Sequence, residues 1–156
     1  MIRKLSLAAV LGAVALPAMF MASPANAATC SATVESTDAM KFTTSELVVP
    51  ASCKDFTVTL KHVGQLPKTV MGHNFVVGKS ADIAGINADG MKAGVAANYV
   101  KAGDSRVIAA SKVIGGGEST TVKIPVGKIK AGEQYNFICT FPGHSSIMKG
   151  TLKLGS

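Results

Sequence analysis

Apolar residues in this 156-residue chain recur at every second position along several short stretches. Phe56, Val58 and Leu60 alternate with Thr57, Thr59 and Lys61, and Val122, Ile124 and Val126 alternate with Lys123 and Pro125. Tyr135, Phe137 and Cys139 alternate with Asn136, Ile138 and Thr140. A period of two belongs to strands, because successive side chains of an extended backbone point to opposite faces. Further candidate strands run over 74–77, 106–109 and 148–154. Gly64, Gly115-Gly116-Gly117, Gly132 and Pro142-Gly143 punctuate these runs with turn residues. Several short strands separated in this way predict an all-β chain folded as an antiparallel sandwich or barrel. Pro125 has no N–H to donate, so it marks an edge position or a bulge. One interval breaks the pattern. Residues 79–104 are rich in Ala, Gly and Asp and too long for a hairpin loop. There Ile83, Ile86, Met91 and Val95 recur at spacings of three to five, which predicts one short helical excursion lying against the sheet.

The N-terminus sets the compartment. A basic start containing Arg3 and Lys4 precedes an apolar run over 5–16, and Ala25-Asn26-Ala27 supplies the small-residue pattern of a cleavage site. A membrane anchor is the competing reading, since the mostly apolar stretch 5–22 approaches spanning length. Pro17 and the Ala-x-Ala pattern favour cleavage after Ala27. The expected organisation is a signal peptide at 1–27 and one exported domain at 28–156, whose 129 residues suit a single core. No later stretch is apolar enough to span a bilayer. Of the 16 basic side chains, Arg3 and Lys4 leave with the leader, so 14 face 9 acidic ones and the exported chain carries a net +5. Its lysines are scattered singly, as on a solvated surface. Together with export, this argues against nucleic acid as a partner.

Three cysteines in an exported chain leave one unpaired. Cys30 and Cys53 have no histidine beside them, whereas Cys139 begins "CTFPGHSSIM", with His144 and Met148 at spacing C-x4-H-x3-M. The economical assignment pairs Cys30 with Cys53 and reserves Cys139, although the other pairings stay open. Alternation places Cys139 on the inward side with Tyr135 and Phe137. Pro142-Gly143 suits the centre of a type II turn, which would bring His144 and Met148 back towards Cys139. Gly143, Ser145 and Ser146 argue against a stable helix there. A fourth ligand must come from His62 or His73. His73, in "VMGHNF" before an apolar run, is the better candidate, and His62 is expected to be a packed or rim histidine. A thiolate, a thioether and two imidazoles suit copper better than calcium, magnesium or manganese. Zinc remains a contender, but a thioether is an unusual zinc ligand and no C-x2-C knuckle is present.

"VMGHN" at 70–74 and "CTFPGHSSIMKGTL" at 139–152 closely resemble the azurins, exported blue copper proteins. "LPKTVMGHN", "DSRVIAASKVIGGGE" and "GEQYNFICTFPGHSSIMKGTL" follow that family's order, so the resemblance spans essentially all of 28–156. It implies a cupredoxin-like Greek-key β-sandwich or barrel of about eight strands with one short helical insertion, and one type 1 copper per chain. Carried over by position, it implies His73, Cys139 and His144 as trigonal ligands, with Met148 axial and the Gly72 carbonyl opposite. It also implies that Asn74 ties the two ligand loops and orients hydrogen bonds at the Cys139 sulfur, and that Phe141 helps exclude water. His144 would reach the surface within an apolar docking patch of Leu66, Val70, Met71, Met91, Pro142 and Gly143. His62 matches a histidine near the copper that can respond to redox state. The chain has no tryptophan, whereas many azurins bury one, and Phe75 stands as the aromatic filler.

The resemblance points to a periplasmic, monomeric electron carrier rather than an enzyme. Its implied partners are redox proteins such as c-type cytochromes, nitrite reductase or amine dehydrogenases. A copper-sequestering or delivery protein is the alternative, though the four methionines beyond the leader are widely separated. A thiol hydrolase with Cys139 as nucleophile and His144 as base would leave Met148 and Gly72-His73-Asn74 without roles.

Overall fold

A computed structural model of the protein describes residues 28–155. The expected leader, residues 1–27, lies outside the described residues. Among the described residues there are nine strands, in chain order β1 Ser31–Thr37, β2 Lys41–Phe42, β3 Glu46–Pro50, β4 Asp55–His62, β5 Val76–Lys79, β6 Val107–Ala110, β7 Ser119–Pro125, β8 Tyr135–Ile138 and β9 Lys149–Gly155. They form two sheets, ordered β2-β1-β4-β7 and β3-β9-β8-β5-β6. The expected cupredoxin-like sandwich is therefore observed, and the two-residue β2 brings the count to nine rather than about eight. No helix among the described residues is long and apolar enough to cross a membrane.

Each alternating run buries its apolar face as its period requires. Phe56, Val58, Leu60, Val122, Ile124, Tyr135 and Phe137 all enter the inter-sheet core, where Phe75 and Phe137 stack with centroids 4.8 Å apart. Phe75 thus fills the space at the centre of this tryptophan-free interior. Pro125 ends the edge strand β7, where its missing N–H costs no ladder bond.

The sheets are mixed, in contrast to the antiparallel arrangement that the turn spacing suggests. β1 runs parallel to β4, and β3 runs parallel to β9. Local periodicity cannot reveal this, since strand direction depends on segments far apart in the chain. Cys30 and Cys53 immediately precede the parallel pair β1 and β4 and are joined by a disulfide spanning 23 residues. The bond ties the shared end of the two strands, and Cys30 accepts a backbone hydrogen bond from Thr57 at 2.9 Å.

The excursion at 79–104 contains a 3-10 turn at Ser80–Asp82, the helix α2 at Ile83–Ala93 and a second 3-10 turn at Val95–Ala97. The label α1 is kept for the single turn Lys68–Met71. Of the four spaced apolar residues, Ile86 is buried and Ile83 packs beside it against Val76 and Ile138, on the outer face of the five-stranded sheet. Met91 and Val95 instead face solvent, 43% and 64% exposed. The apolar docking of the helix is therefore confined to its first half, while the buried Gly90 lets its second half lie close against the Tyr99 carbonyl.

Candidate metal centre

Two separate segments deliver the candidate ligands to one end of the sandwich. β8 runs inward to Ile138, and Cys139 continues it with its side chain fully buried. The chain then reverses. Gly143 adopts φ +82°, and His144 N–H donates to the Phe141 carbonyl at 3.0 Å, which closes the type II turn around Pro142-Gly143. One further turn, Met148 N–H to His144 C=O at 2.8 Å, carries the chain into β9 without forming a helix. Cys139 N–H donates to the Met148 carbonyl at 3.0 Å, so the two ends of the loop close on each other. His73 comes from the other side, held between α1 and β5 by reciprocal backbone bonds with Ile114 at 2.9 and 2.8 Å.

The donor atoms converge. Cys139 Sγ lies 3.6 Å from His144 Nδ1, 3.9 Å from His73 Nδ1 and 3.9 Å from the Gly72 carbonyl oxygen. All three side-chain donors lie within 4.8 Å of one another, and Met148 is buried with them. Metal–nitrogen and metal–sulfur bonds of about 2.0–2.1 Å and 2.3 Å, as known for zinc, place N and S about 3.8 Å apart when the ligands subtend 120°. The sulfur–nitrogen separations bracket that value, so the arrangement fits a trigonal metal without a change of fold.

The environment keeps the two imidazoles in the neutral form a metal binds, and the thiol in the protonated form it does not. Burial, reinforced by the nearby His62, pushes the His73 imidazole down to about 4. Burial also lowers His144. Both rings are therefore neutral at pH 7 in the metal-free protein. His73 Nε2 lies 3.0 Å from the Thr37 carbonyl, which accepts its proton and leaves the Nδ1 lone pair aimed at the site. Burial pushes the Cys139 thiol up to about 11, opposed by the backbone N–H groups of Asn74 and Phe141. Binding of a cation must therefore displace the thiol proton.

The Asn74 side chain bonds to residues of two other segments. Its Oδ1 accepts the Thr140 N–H at 2.8 Å, and its Nδ2 donates to Thr140 Oγ1 and to the Asn98 carbonyl, each at 2.8 Å. Phe141 packs between Tyr99 and His144, with centroids 5.3 and 4.8 Å away. His62 is fully buried with its ring centroid 4.4 Å from that of His73, and its Nε2 lies 3.1 Å from Asp38 Oδ1. His144 is 3% exposed, so only an edge reaches the surface. Leu66, Val70 and Met91 are exposed and apolar, Pro142 and Gly143 are exposed, and Met71 is half-buried. Ile147, between two candidate ligands and 58% exposed, is an apolar surface residue that sequence reasoning overlooked. So are Asp38, Asn98 and Thr140, polar residues whose partners lie 24 to 66 positions away.

A two-sheet sandwich that buries a thiol, two imidazoles and a thioether at one end defines the class of small, soft-ligand copper proteins. The pattern described as copper binding proteins, plastocyanin/azurin family, matches residues 28–155, and the chain belongs to that family. It is 54% identical over 156 residues to azurin of Achromobacter denitrificans, covering 100% of both chains. It is 60% identical over 129 residues to azurin-2 of Alcaligenes xylosoxydans xylosoxydans, covering 83% of this chain and 100% of that one. The solved structure of an azurin (Az-iso2) from the obligate methylotroph Methylomonas sp. strain J superposes with a TM-score of 0.80 at 49% identity. That match covers 83% of this chain and 100% of the other. Copper is accordingly the metal of this centre.

Proposed function

We propose that the protein is a periplasmic blue copper electron carrier, exported as residues 28–156 after cleavage behind Ala27. His73 Nδ1, Cys139 Sγ and His144 Nδ1 would hold the copper, with the Met148 sulfur and the Gly72 carbonyl as weaker neighbours. The observation that carries this reading is the buried donor set, spaced as a trigonal metal requires. Bound copper supplies one-electron Cu(I)/Cu(II) chemistry. The chain's own residues do the rest. The rigid sheet holds soft and borderline donors acceptable to both oxidation states, and Phe141 and Met148 keep water away. His144 brings the site close to the surface beside Leu66, Val70, Met71, Met91, Pro142 and Gly143, an apolar area suited to brief docking with redox proteins. c-type cytochromes, nitrite reductase or amine dehydrogenases are the candidate partners, met by a monomer without catalysis of its own. The cleavage reading is supported by a family match that begins at residue 28.

The Cys139→Ser variant tests this assignment. The wild-type protein with Cu(II) shows an intense thiolate-to-copper visible band, and the variant loses it while keeping its fold by circular dichroism. A variant that retained the band would remove Cys139 from the ligand set. Delivery, the other use of such a site, predicts rapid loss of Cu(I) to a chelator, whereas complete burial of the donors predicts slow loss.

A further inference from the structure

Two adjacent residues outside the ligand set make an unusual arrangement beside the centre. Asn98 and Tyr99 both have φ +54°, in the left-handed region that non-glycine residues rarely occupy. Asparagine tolerates it, whereas a tyrosine stays there only when its surroundings hold it. In a helical conformation of either hand, successive carbonyls point the same way, while in a strand they alternate. The Asn98 carbonyl accepts from Asn74 Nδ2 at 2.8 Å, and the Tyr99 carbonyl accepts from Thr140 Oγ1 at 2.8 Å. Asn74 directly follows His73, and Thr140 directly follows Cys139. Neighbouring carbonyls thus bind the residue after each of two candidate ligands from opposite segments. The Asn98 side chain adds a third tie, accepting the Val113 N–H at 3.0 Å. The pair is itself anchored, since Tyr99 N–H donates to the Gly94 carbonyl at 2.9 Å and Gly90 of α2 leaves no room for a Cβ against the Tyr99 carbonyl.

We infer that Asn98-Tyr99 is a positioning device for the metal centre, through which the helical insertion fixes the separation of the His73 and Cys139 segments. This rests on the ligand set proposed above. It gives the insertion a role beyond the apolar docking of Ile83 and Ile86 on the sheet. Asn98 and Tyr99 touch no ligand and act through Asn74 and Thr140.

Three variants test it. Asn98→Gly keeps the left-handed backbone but loses the side-chain tie and the stiffness. Thr140→Val removes the bond to Tyr99 together with the one that Thr140 Oγ1 accepts from Asn74 Nδ2, and Asn98→Asp retains an acceptor for Val113 N–H. Asn98→Gly and Thr140→Val are expected to shift the visible bands and the reduction potential of the copper form. They should also release Cu(I) to a chelator about tenfold faster, the lower end of typical losses for outer-shell partners. Asn98→Asp is expected to match the wild type in visible bands and Cu(I) release rate. If Asn98→Gly fails to fold, Thr140→Val carries the test. Wild-type spectra, potential and release rate in both loosened variants would overturn the proposal, as would a fall in unfolding midpoint with no change at the metal. If wild-type protein shows no thiolate band, the ligand reading fails, and amide exchange in the metal-free protein decides whether Asn98-Tyr99 positions the Thr140 segment. Faster exchange at Thr140 N–H in Asn98→Gly then supports it, and unchanged exchange overturns it.

Discussion

Gly72 illustrates how tightly single residues are set around the centre. A Cβ there would lie 2.6 Å from the Lys68 carbonyl oxygen and 2.7 Å from both Phe141 Cε2 and Val113 Cγ1. Its backbone, at φ −70° and ψ 140°, is open to any residue, so space alone demands glycine. Gly72→Ala is expected to destabilise the metal-free protein by about 1–3 kcal/mol, the usual cost of overpacking, read as a lower urea midpoint. It should also perturb the visible spectrum, because the displaced carbonyl faces Cys139. The candidate ligands stand out in the sequence, since C-x4-H-x3-M and "MGHN" are local motifs of rare residue types. Asn98, Thr140 and Asp38 do not, because nothing local distinguishes an asparagine or threonine whose partner is tens of residues away. Their importance arises only when the sheets bring the segments together.

At the scale of elements, the helical insertion is fastened by charge as well as by Ile86. Arg106 Nη2 bonds Asp104 Oδ2 at 2.6 Å and Asp89 Oδ2 on α2 at 2.7 Å. The Arg106 hydrogen bonds hold the Asp104 carboxyl down at about 2, well below its ordinary range near 4. A lowered carboxyl contributes stability at pH values above its unfolded value and loses it as pH falls towards the folded one. The stability difference between wild type and Asp104→Asn, measured by urea unfolding, should be constant from pH 5 to 7 and shrink between about 4 and 2. A difference that persisted unchanged to pH 2 would mean that the clasp does not depend on ionised Asp104. The insertion's helix was readable from spacing, but its orientation was not. Met91 and Val95 fit the apolar stripe, yet they lie beyond the part of the helix that meets the sheet. β1 was missed for the opposite reason. In "SATVEST" only Val34 is a large apolar residue, and Ser36 is buried by backbone pairing rather than by hydrophobicity.

At the scale of the whole molecule, the sandwich was legible because alternation and turn chemistry are properties of contiguous residues. The parallel pairs β1–β4 and β3–β9 were not, and the Cys30–Cys53 bond stands where local sequence gives no register. Closing a loop of 23 residues is worth roughly 3 kcal/mol in the chain-entropy model. The Cys30→Ser/Cys53→Ser double variant should lose about that much by denaturant unfolding while keeping its copper spectrum, since the bond joins the strands at Ser31 and Asp55, where β4 begins, and the metal centre lies beyond its far end. Emission from the folded protein should be that of tyrosine alone.

All of these scales serve one claim, that a preformed and buried set of soft donors cycles a single electron without rearranging. Spectroelectrochemistry of the copper-loaded protein tests it most directly. An intense blue band is expected to bleach on one-electron reduction and return in full on reoxidation, over many cycles and in the presence of a Cu(I) chelator. Absence of the band, or its failure to return because reduced copper has left the protein, would contradict that claim.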